Sequence, residues 1–294
     1  MTSIVQDVID ALTAGSFYAL FALGIALVFG IMRLVNFAHG ELIMAGAYGV
    51  YVVQDLPWPL IVLASILVVV VLALIVERIA FRPVRGRSAA TLLITSFAVS
   101  FFLQSLARIV FTTLPKSADI TPALRRSIEV GDLRISWLSV ITIAVTAVLL
   151  VGLALFMNHT RVGVEMRAAA EDFEMARLCG VRANRVIAIA FAISGVLAGA
   201  AALLLVGQTG SLSVTMGLTP VLFGFTAAVI GGLGSLTGAV LGGYLLGGAT
   251  VVLQKVLPFE LGGYRDAFLF IAVFALMALR PGGLLHSVGL EERV

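Results

Sequence analysis

Ionisable side chains are scarce in this sequence, and those that stand beside long apolar runs are where chemistry could be done. One such stretch is Ile31-Met32-Arg33-Leu34-Val35-Asn36-Phe37-Ala38-His39-Gly40-Glu41. Asn36 suits a helix N-cap, and Glu41 falls in the first turns of the helix that would follow, where a carboxylate complements the helix dipole. His39 and Glu41 are expected at or just inside a membrane boundary, where ionisable groups are costly and face the protein interior. Two readings follow: a polar lining of a route or gate through the protein, or a capped, buried re-entry turn. Other chemistries lack their residues. No Gly-x-x-x-x-Gly-Lys-Ser/Thr is present, so the chain carries no Walker-type nucleotide site. There is no His-Glu-x-x-His, no Gly-x-Ser-x-Gly, and His39, His159 and His286 are scattered. The deep apolar segments hold almost no ionisable groups, which disfavours a carrier driven through its own buried charges and favours a pore energised from outside.

A second stretch, Glu165 to Gly180, is a short amphipathic island in an otherwise oily chain. Ala169, Phe173 and Ala176 recur at i, i+4, i+7 and share one helical face. Arg167 with Glu171, and Glu174 with Arg177, are spaced to pair on the other faces. Gly180 follows where a helix needs a left-handed residue to stop. The expectation is a helix over about 165–179, within a loop over 158–185, that either docks a partner or is simply solvated. Cys179 is the only cysteine, so no intrachain disulfide forms.

The elements that must position these stretches follow from composition. The 294 residues are 61% hydrophobic and 12% charged, with mean hydropathy +1.12. A soluble domain carries about twice that charge. Apolar runs near the length needed to cross about 30 Å of hydrocarbon recur along the chain. They predict an all-α polytopic membrane protein with about eight or nine transmembrane helices in a single membrane domain over 1–294. The expected spans are about 9–31, a segment ending near 54, 58–76, 91–111, 136–157, 186–207, a short 219–230, a segment ending near 254, and 266–280. The fourth carries Thr91, Thr95, Ser96, Ser100, Gln104 and Arg108, a polar stripe that faces either partner helices or a pathway. Gly195-x-x-x-Gly199 marks a close-packing face. The last third is broken: 219–230 runs into Gly231-Gly232-Leu233-Gly234-Ser235, followed by Gly238, Gly242, Gly243 and Gly247. These glycines mark either tight helix packing or a break lining a ligand route.

Placing the N-terminus outside and the tail inside puts 12 of the 19 Lys and Arg residues on the cytoplasmic side. The N-terminal stretch has no basic n-region of the kind a cleaved signal peptide carries. Gly40 and Gly49 match Gly238 and Gly247 at a common offset, a faint echo that suggests a parallel repeat.

Three motifs in order resemble a known family. Ile31 to Glu41, then Arg167-Ala168-Ala169-Ala170-Glu171-Asp172 with Ala176-x-x-x-Gly180, then Gly231-Gly232-Leu233-Gly234-Ser235-Leu236-x-Gly238-Ala239 are similar to the permease of branched-chain amino acid ABC importers, LivH type. The resemblance spans about 9–284. It implies a type II-like importer permease with broken or re-entrant segments in a bacterial inner membrane. It also implies a second related permease, two cytoplasmic ATPase subunits that carry ATP and Mg, a periplasmic or lipid-anchored substrate-binding protein, no cofactor or metal on this chain and no nucleic acid. The island becomes the coupling helix, with Arg167, Ala169, Ala170, Glu171, Asp172, Phe173 and Gly180 as contacts to the ATPase. Asn36, His39, Glu41, Gly231, Gly232 and Gly234 become candidates for the pathway or gate. The general importer loop has Glu-Ala-Ala, three residues, then Gly; here Ala169-Ala170-Glu171 precedes Gly180 by nine residues, so the resemblance is to this subfamily's loop. Alternatives are a same-family permease for urea, amides or another small polar solute, and a stand-alone secondary carrier.

Overall fold

A computed structural model describes residues 2–118, 127–130 and 133–279. The expected end of the last span at Arg280 with Pro281-Gly282-Gly283, His286 and the tail lie outside the described residues, as do Pro122, Arg125 and Arg126.

The described chain is helical almost throughout. In order it forms α1 (Thr2–Met32), α2 (His39–Val52), α3 (Trp58–Val76), α4 (Ala89–Phe111), α5 (Trp137–His159), α6 (Arg161–Glu171), α7 (Phe173–Leu178), α8 (Ala183–Thr209), α9 (Leu218–Gly231), α10 (Leu236–Val256) and α11 (Arg265–Leu279). A π-helical turn over Glu77–Phe81 and a short 3-10 turn extend α3 to Val84. Four short strands join loops at one end: β1 (Lys116–Ser117) pairs antiparallel with β4 (Ser211–Leu212), and β2 (Ser127–Val130) forms a hairpin with β3 (Leu133–Ser136).

Among the described residues seven helices are long and apolar enough to cross a membrane, not eight or nine. The difference lies in α2 and α9. Each has 14 residues, about 21 Å of helix, short of the roughly 30 Å of a hydrocarbon core. Non-helical chain supplies the rest of each path: coil over 33–38 leads into α2, and 210–217, which includes β4, into α9.

Packing fixes where the two short helices begin. The His39 ring lies against Gly24, nine residues before Arg33 on α1 and so about 13 Å deeper into the bundle. At the starts of the two helices, Gly40 and Gly217 lie backbone against backbone, where an added Cβ on either would meet the other's carbonyl. From there α2 runs toward the C-terminal end of α8, where Gly46 touches Ala202. α9 runs the other way, and the turn after it places Gly234 beside Gly30, near the end of α1.

The contacts are those of an inverted repeat. α1 packs on α8, α9 and α10, while α8 packs on α1, α2 and α3; α9 packs on α10 as α2 packs on α3. Matching α1-α2-α3-α4 to α8-α9-α10-α11 reverses the direction of every helix. The suggested parallel repeat is therefore not the internal symmetry. Gly40 packs on Gly217 and Gly238 on Gly231, so those glycines serve different contacts and their common offset carries no relation.

α1 is the axis of the molecule: 78% of its most apolar window is buried, against 6% for α11. Its buried Leu20, Leu23 and Leu27 join the main core. Outer helices leave large side chains such as Phe101, Ile109 and Phe274 exposed, which is favourable only in lipid. Glycine lets the inner backbones touch. Gly195 and Gly199 of α8 meet Val70 and Ile66 of α3, with Cα atoms 3.1 and 3.0 Å from an added Cβ, and Gly243 and Gly247 of α10 lie on the backbone of Ala19 and Gly15 of α1. The packing reading of these glycines is the correct one.

Gly247 and Gly248 give a test within one turn of α10. A Cβ at Gly247 would land on the Gly15 backbone, whereas at Gly248 it would meet nothing within 4 Å. Gly247→Ala is expected to destabilise the detergent-solubilised protein by about 1–3 kcal/mol or more, read as a lowered thermal unfolding midpoint, and Gly248→Ala to leave the midpoint unchanged. Equal effects would contradict the α1–α10 contact.

Candidate functional site

The buried polar groups gather where α2 begins. α2 starts at His39 after Ala38, not after Asn36. Asn36 is buried, and its Oδ1 accepts a hydrogen bond from the Ala38 amide at 3.1 Å. It therefore shapes an Asx-type turn ahead of the helix rather than capping it. The difference is physical: two further residues, Phe37 and Ala38, are needed to turn the chain from its inward path into the helix. Phe37 stacks on Phe97 of α4 with ring centroids 4.5 Å apart.

His39 and Glu41 lie within the bundle rather than at its boundary, and are 1% and 2% exposed. His39 Nδ1 and Ser194 Oγ are 3.1 Å apart, and Ser194 Oγ donates to the Gly24 carbonyl at 3.1 Å. His39 thus ties α2 to α8 and α1. Glu41 Oε1 accepts from Ser100 Oγ at 2.9 Å and from Gln104 Nε2 at 2.7 Å. Arg108 in turn reaches Gln104 Oε1 at 3.5 Å. The polar stripe of α4 is therefore a partner for α2. Glu41 Oε2 and the Tyr48 hydroxyl have no hydrogen-bond partner among the described residues, and both residues line an apolar cavity of about 310 Å³ between α2, α3 and α4.

Gly231, Gly232 and Gly234 are elsewhere. Gly231 lies backbone to backbone on Gly238, while Gly232 and Gly234 turn the chain from α9 into α10 with φ of 99° and 93°. Such angles favour glycine. This turn sits beside Ile31, Met166 and Arg167. The six expected pathway residues thus form two groups, one deep in the bundle and one at the end that carries the island.

The island is two helices, not one. Thr160 caps α6, its Oγ1 accepting from the Gly163 amide at 2.9 Å. The helix stops at Asp172, whose backbone is extended and whose Oδ1 accepts from the Met175 amide at 2.9 Å, so that it caps α7. An aspartate able to cap competes with continuing the helix through it. Gly180 ends α7 as expected, with φ of 88°. The Gly180 amide donates to the Arg177 carbonyl and the Val181 amide to the Ala176 carbonyl, both at 3.0 Å, a Schellman motif. The predicted ion pairs do not form: Arg167 donates to Asn158 Oδ1 at 2.7 Å instead.

The common apolar face is real, but it points inward. Ala169 and Ala176 are buried and Phe173 packs half-buried against the chain's own core. Outward stand Val164, Met175 and Leu178, 51%, 59% and 82% exposed; Arg167, Glu171 and Asp172 are exposed too. Met175 and Leu178 lie off the face shared by Ala169, Phe173 and Ala176, so the i, i+4, i+7 pattern does not mark them. Besides the Arg167 bond to α5, the island is tied to the coil after α1: Arg33 Nη2 donates to the Ala170 carbonyl at 3.2 Å. Arg33 has φ of 52°, a conformation that costs a non-glycine residue about 1 kcal/mol.

At the opposite end a cavity of about 780 Å³ opens between α1, α8, α9 and α10. Its floor holds Phe17, Tyr18, Phe21 and Phe223, with Tyr18 and Phe223 stacked at 4.8 Å, and Asp10, Gln254 and Asp266 stand on its rim. Sequence reasoning missed this site; the signal was the aromatic cluster 17, 18, 21 on one face of α1.

Comparison with known proteins agrees with this architecture. Residues 8–278 match the model of the family described as branched-chain amino acid transport system / permease component. The chain belongs to that family. It is a transport subunit and a multi-pass membrane protein, not an enzyme. It is 35% identical to the high-affinity branched-chain amino acid transport system permease protein BraD of Pseudomonas aeruginosa, over 98% of this chain and 97% of that protein. It is 31% identical to the corresponding LivH of Escherichia coli (strain K12), again over 98% and 97%. The solved PsaBC from Streptococcus pneumoniae in complex with Fab covers 92% of this chain and 94% of its own, at TM-score 0.50 and 15% identity, a likeness of fold.

The Glu41 network yields a stability cycle. Gln104→Leu is expected to cost about 1.5–3 kcal/mol, because a buried carboxylate loses a donor. Glu41→Leu/Gln104→Leu is expected to cost less than the two single changes summed. Thermal unfolding of the four proteins in one detergent checks this; strict additivity would mean that the two side chains do not interact.

Proposed function

We propose that this chain is a membrane-spanning subunit of an ATP-driven importer of branched-chain amino acids in a bacterial inner membrane. The observation that carries the reading is the likeness to branched-chain permeases over nearly the full length of both partners. In this reading a second related permease completes the pathway, two ATPase subunits supply ATP hydrolysis with Mg, and a substrate-binding protein delivers the solute. The N-terminus is outside and the island cytoplasmic, in keeping with the arginines gathered at the island end.

The aromatic-floored cavity opposite the island is the entry chamber. Its size suits a small ligand, with apolar walls for a branched side chain, Asp10 on the rim for an ammonium, and Arg265, paired with Asp266 at 2.9 Å, beside it. The start of α2, held by His39 and Glu41, is the element that moves between chamber and island. α6 and α7 are the coupling element, with Met175 and Leu178 as the apolar contacts to the ATPase and Asp172 and Gly180 shaping the surface that presents them. Motion of the ATPases reaches the bundle through Arg33, which stands at the end of α1 and at the head of the coil leading into α2.

Reconstitution of the chain with its co-purifying subunits tests the function: ATP-dependent leucine uptake is expected, and uptake driven by a proton or sodium gradient without ATP would overturn it. Met175→Asp and Leu178→Asp are expected to leave the protein in the membrane with a normal unfolding midpoint while lowering uptake at least tenfold. Phe173→Asp is expected to lower the midpoint itself. Arg33→Gly separates backbone from side chain: glycine accepts the left-handed turn, so the fold persists, while loss of the bond to Ala170 lowers transport per ATP hydrolysed. Unchanged coupling would remove Arg33 from the path.

A further inference from the structure

A second large cavity, of about 950 Å³, lies at the island end, beside α7 and distinct from the two chambers above. Arg33, Arg82, Arg85, Arg177, Arg182 and Arg185 line it, against one carboxylate, Glu174. Arg85 is engaged: it pairs with the buried Glu77 and donates to Asn184 Oδ1 at 2.7 Å. Burial lowers its pKa from the usual guanidinium value, and a guanidinium remains cationic in a protein at neutral pH. Arg82, Arg177, Arg182 and Arg185 are exposed and have no ion-pair partner among the described residues. A concave surface with this excess of cations attracts anions strongly.

The shape of the site says which kind of anion. Arg177 stands on α7, and the other five arginines stand at the ends of membrane-crossing helices, at the close of α1 and α3 and the start of α8. The wall between them is apolar, made by Ile31, Leu92 and Ile187 of three such helices. A dissolved anion gains nothing from that wall, and an acidic protein surface would bury charge against it. A phosphodiester headgroup whose glycerol and acyl carbons continue into the bilayer satisfies both surfaces, and guanidinium forks match phosphate oxygens in pairs.

We propose that this cavity binds the headgroup of an anionic phospholipid, which holds α7 to the ends of α1, α3 and α8. The inference does not depend on which face of the membrane this end occupies, nor on the transported solute.

Native mass spectrometry of the full-length chain, alone and in its assembled importer, tests it with added dioleoylphosphatidylglycerol, dioleoylphosphatidylcholine or inorganic phosphate as probes. Retention of phosphatidylglycerol over phosphatidylcholine is expected in both forms. Arg82→Gln/Arg185→Gln should weaken that retention about twentyfold, and Arg82→Lys/Arg185→Lys should restore most of it. The control Arg78→Gln/Arg161→Gln, which removes two cations outside the cavity, should change it less than about threefold. Equal loss in both glutamine pairs would reduce the effect to diffuse surface charge and overturn the proposal. Binding of inorganic phosphate at the same site with displacement of the lipid would make it a solute-anion site. Lipid binding to the isolated chain but not to the assembly would show that a partner protein covers the cavity, which also overturns it.

Discussion

Backbone lying directly on backbone is the constraint on which this structure depends. In lipid no hydrophobic force draws one helix to another, so association rests on close packing and on the few hydrogen bonds available. Glycine supplies that closeness at several inner junctions, among them the one where Gly40 meets Gly217. Two helices begin there, in the body of the protein, and each leaves its first amides without helical partners. Such ends are tolerated at this depth only where protein surrounds them. The encirclement of α2 and α9 by α1, α3, α8 and α10 follows from this need.

The same logic governs the polar groups beside that junction. A carboxyl group in an apolar interior must be hydrogen-bonded. Ser100 and Gln104 serve one oxygen of Glu41, and the other has no partner among the described residues. His39 and Ser194 close a second network onto the Gly24 carbonyl. Together these bonds lock the start of α2 to three helices at once, so a rearrangement here requires exchanging several partners together rather than bending one link. Discrete exchange of this kind suits an element that has two positions.

How much of this was legible in the sequence varied with the physics behind each feature. Membrane class, the long helices and the packing role of Gly195 and Gly199 were legible, because hydropathy and small-residue spacing report one helix and its immediate neighbour. Gly180 was legible because a left-handed stop is a local property. The single coupling helix was not, since Asp172 is equally at home within a surface helix and at the head of a new one. The depth of His39 depends on coil at 33–38 running inward, which no periodicity records. The inverted symmetry was hidden because it relates folds rather than residues. Reversing a helix preserves its packing role but not its glycine register, so Gly243 and Gly247 lie on the outer partner of one junction while Gly195 and Gly199 lie on the inner partner of the other.

That inversion has a consequence for how the chain is inserted during synthesis. Two halves of like shape and opposite sense are equally at home in either direction across a bilayer, so the fold by itself does not choose an orientation. The choice falls to the connecting loops, and there the halves are unlike. The turn between the third and fourth helices of the first half carries Arg82, Arg85 and Arg87, whereas its counterpart in the second half, residues 257–264, carries no Lys or Arg. With Arg182 and Arg185 at the start of the second half, these arginines mark the same end of both halves, so the address is written by the loops and not by the repeated fold.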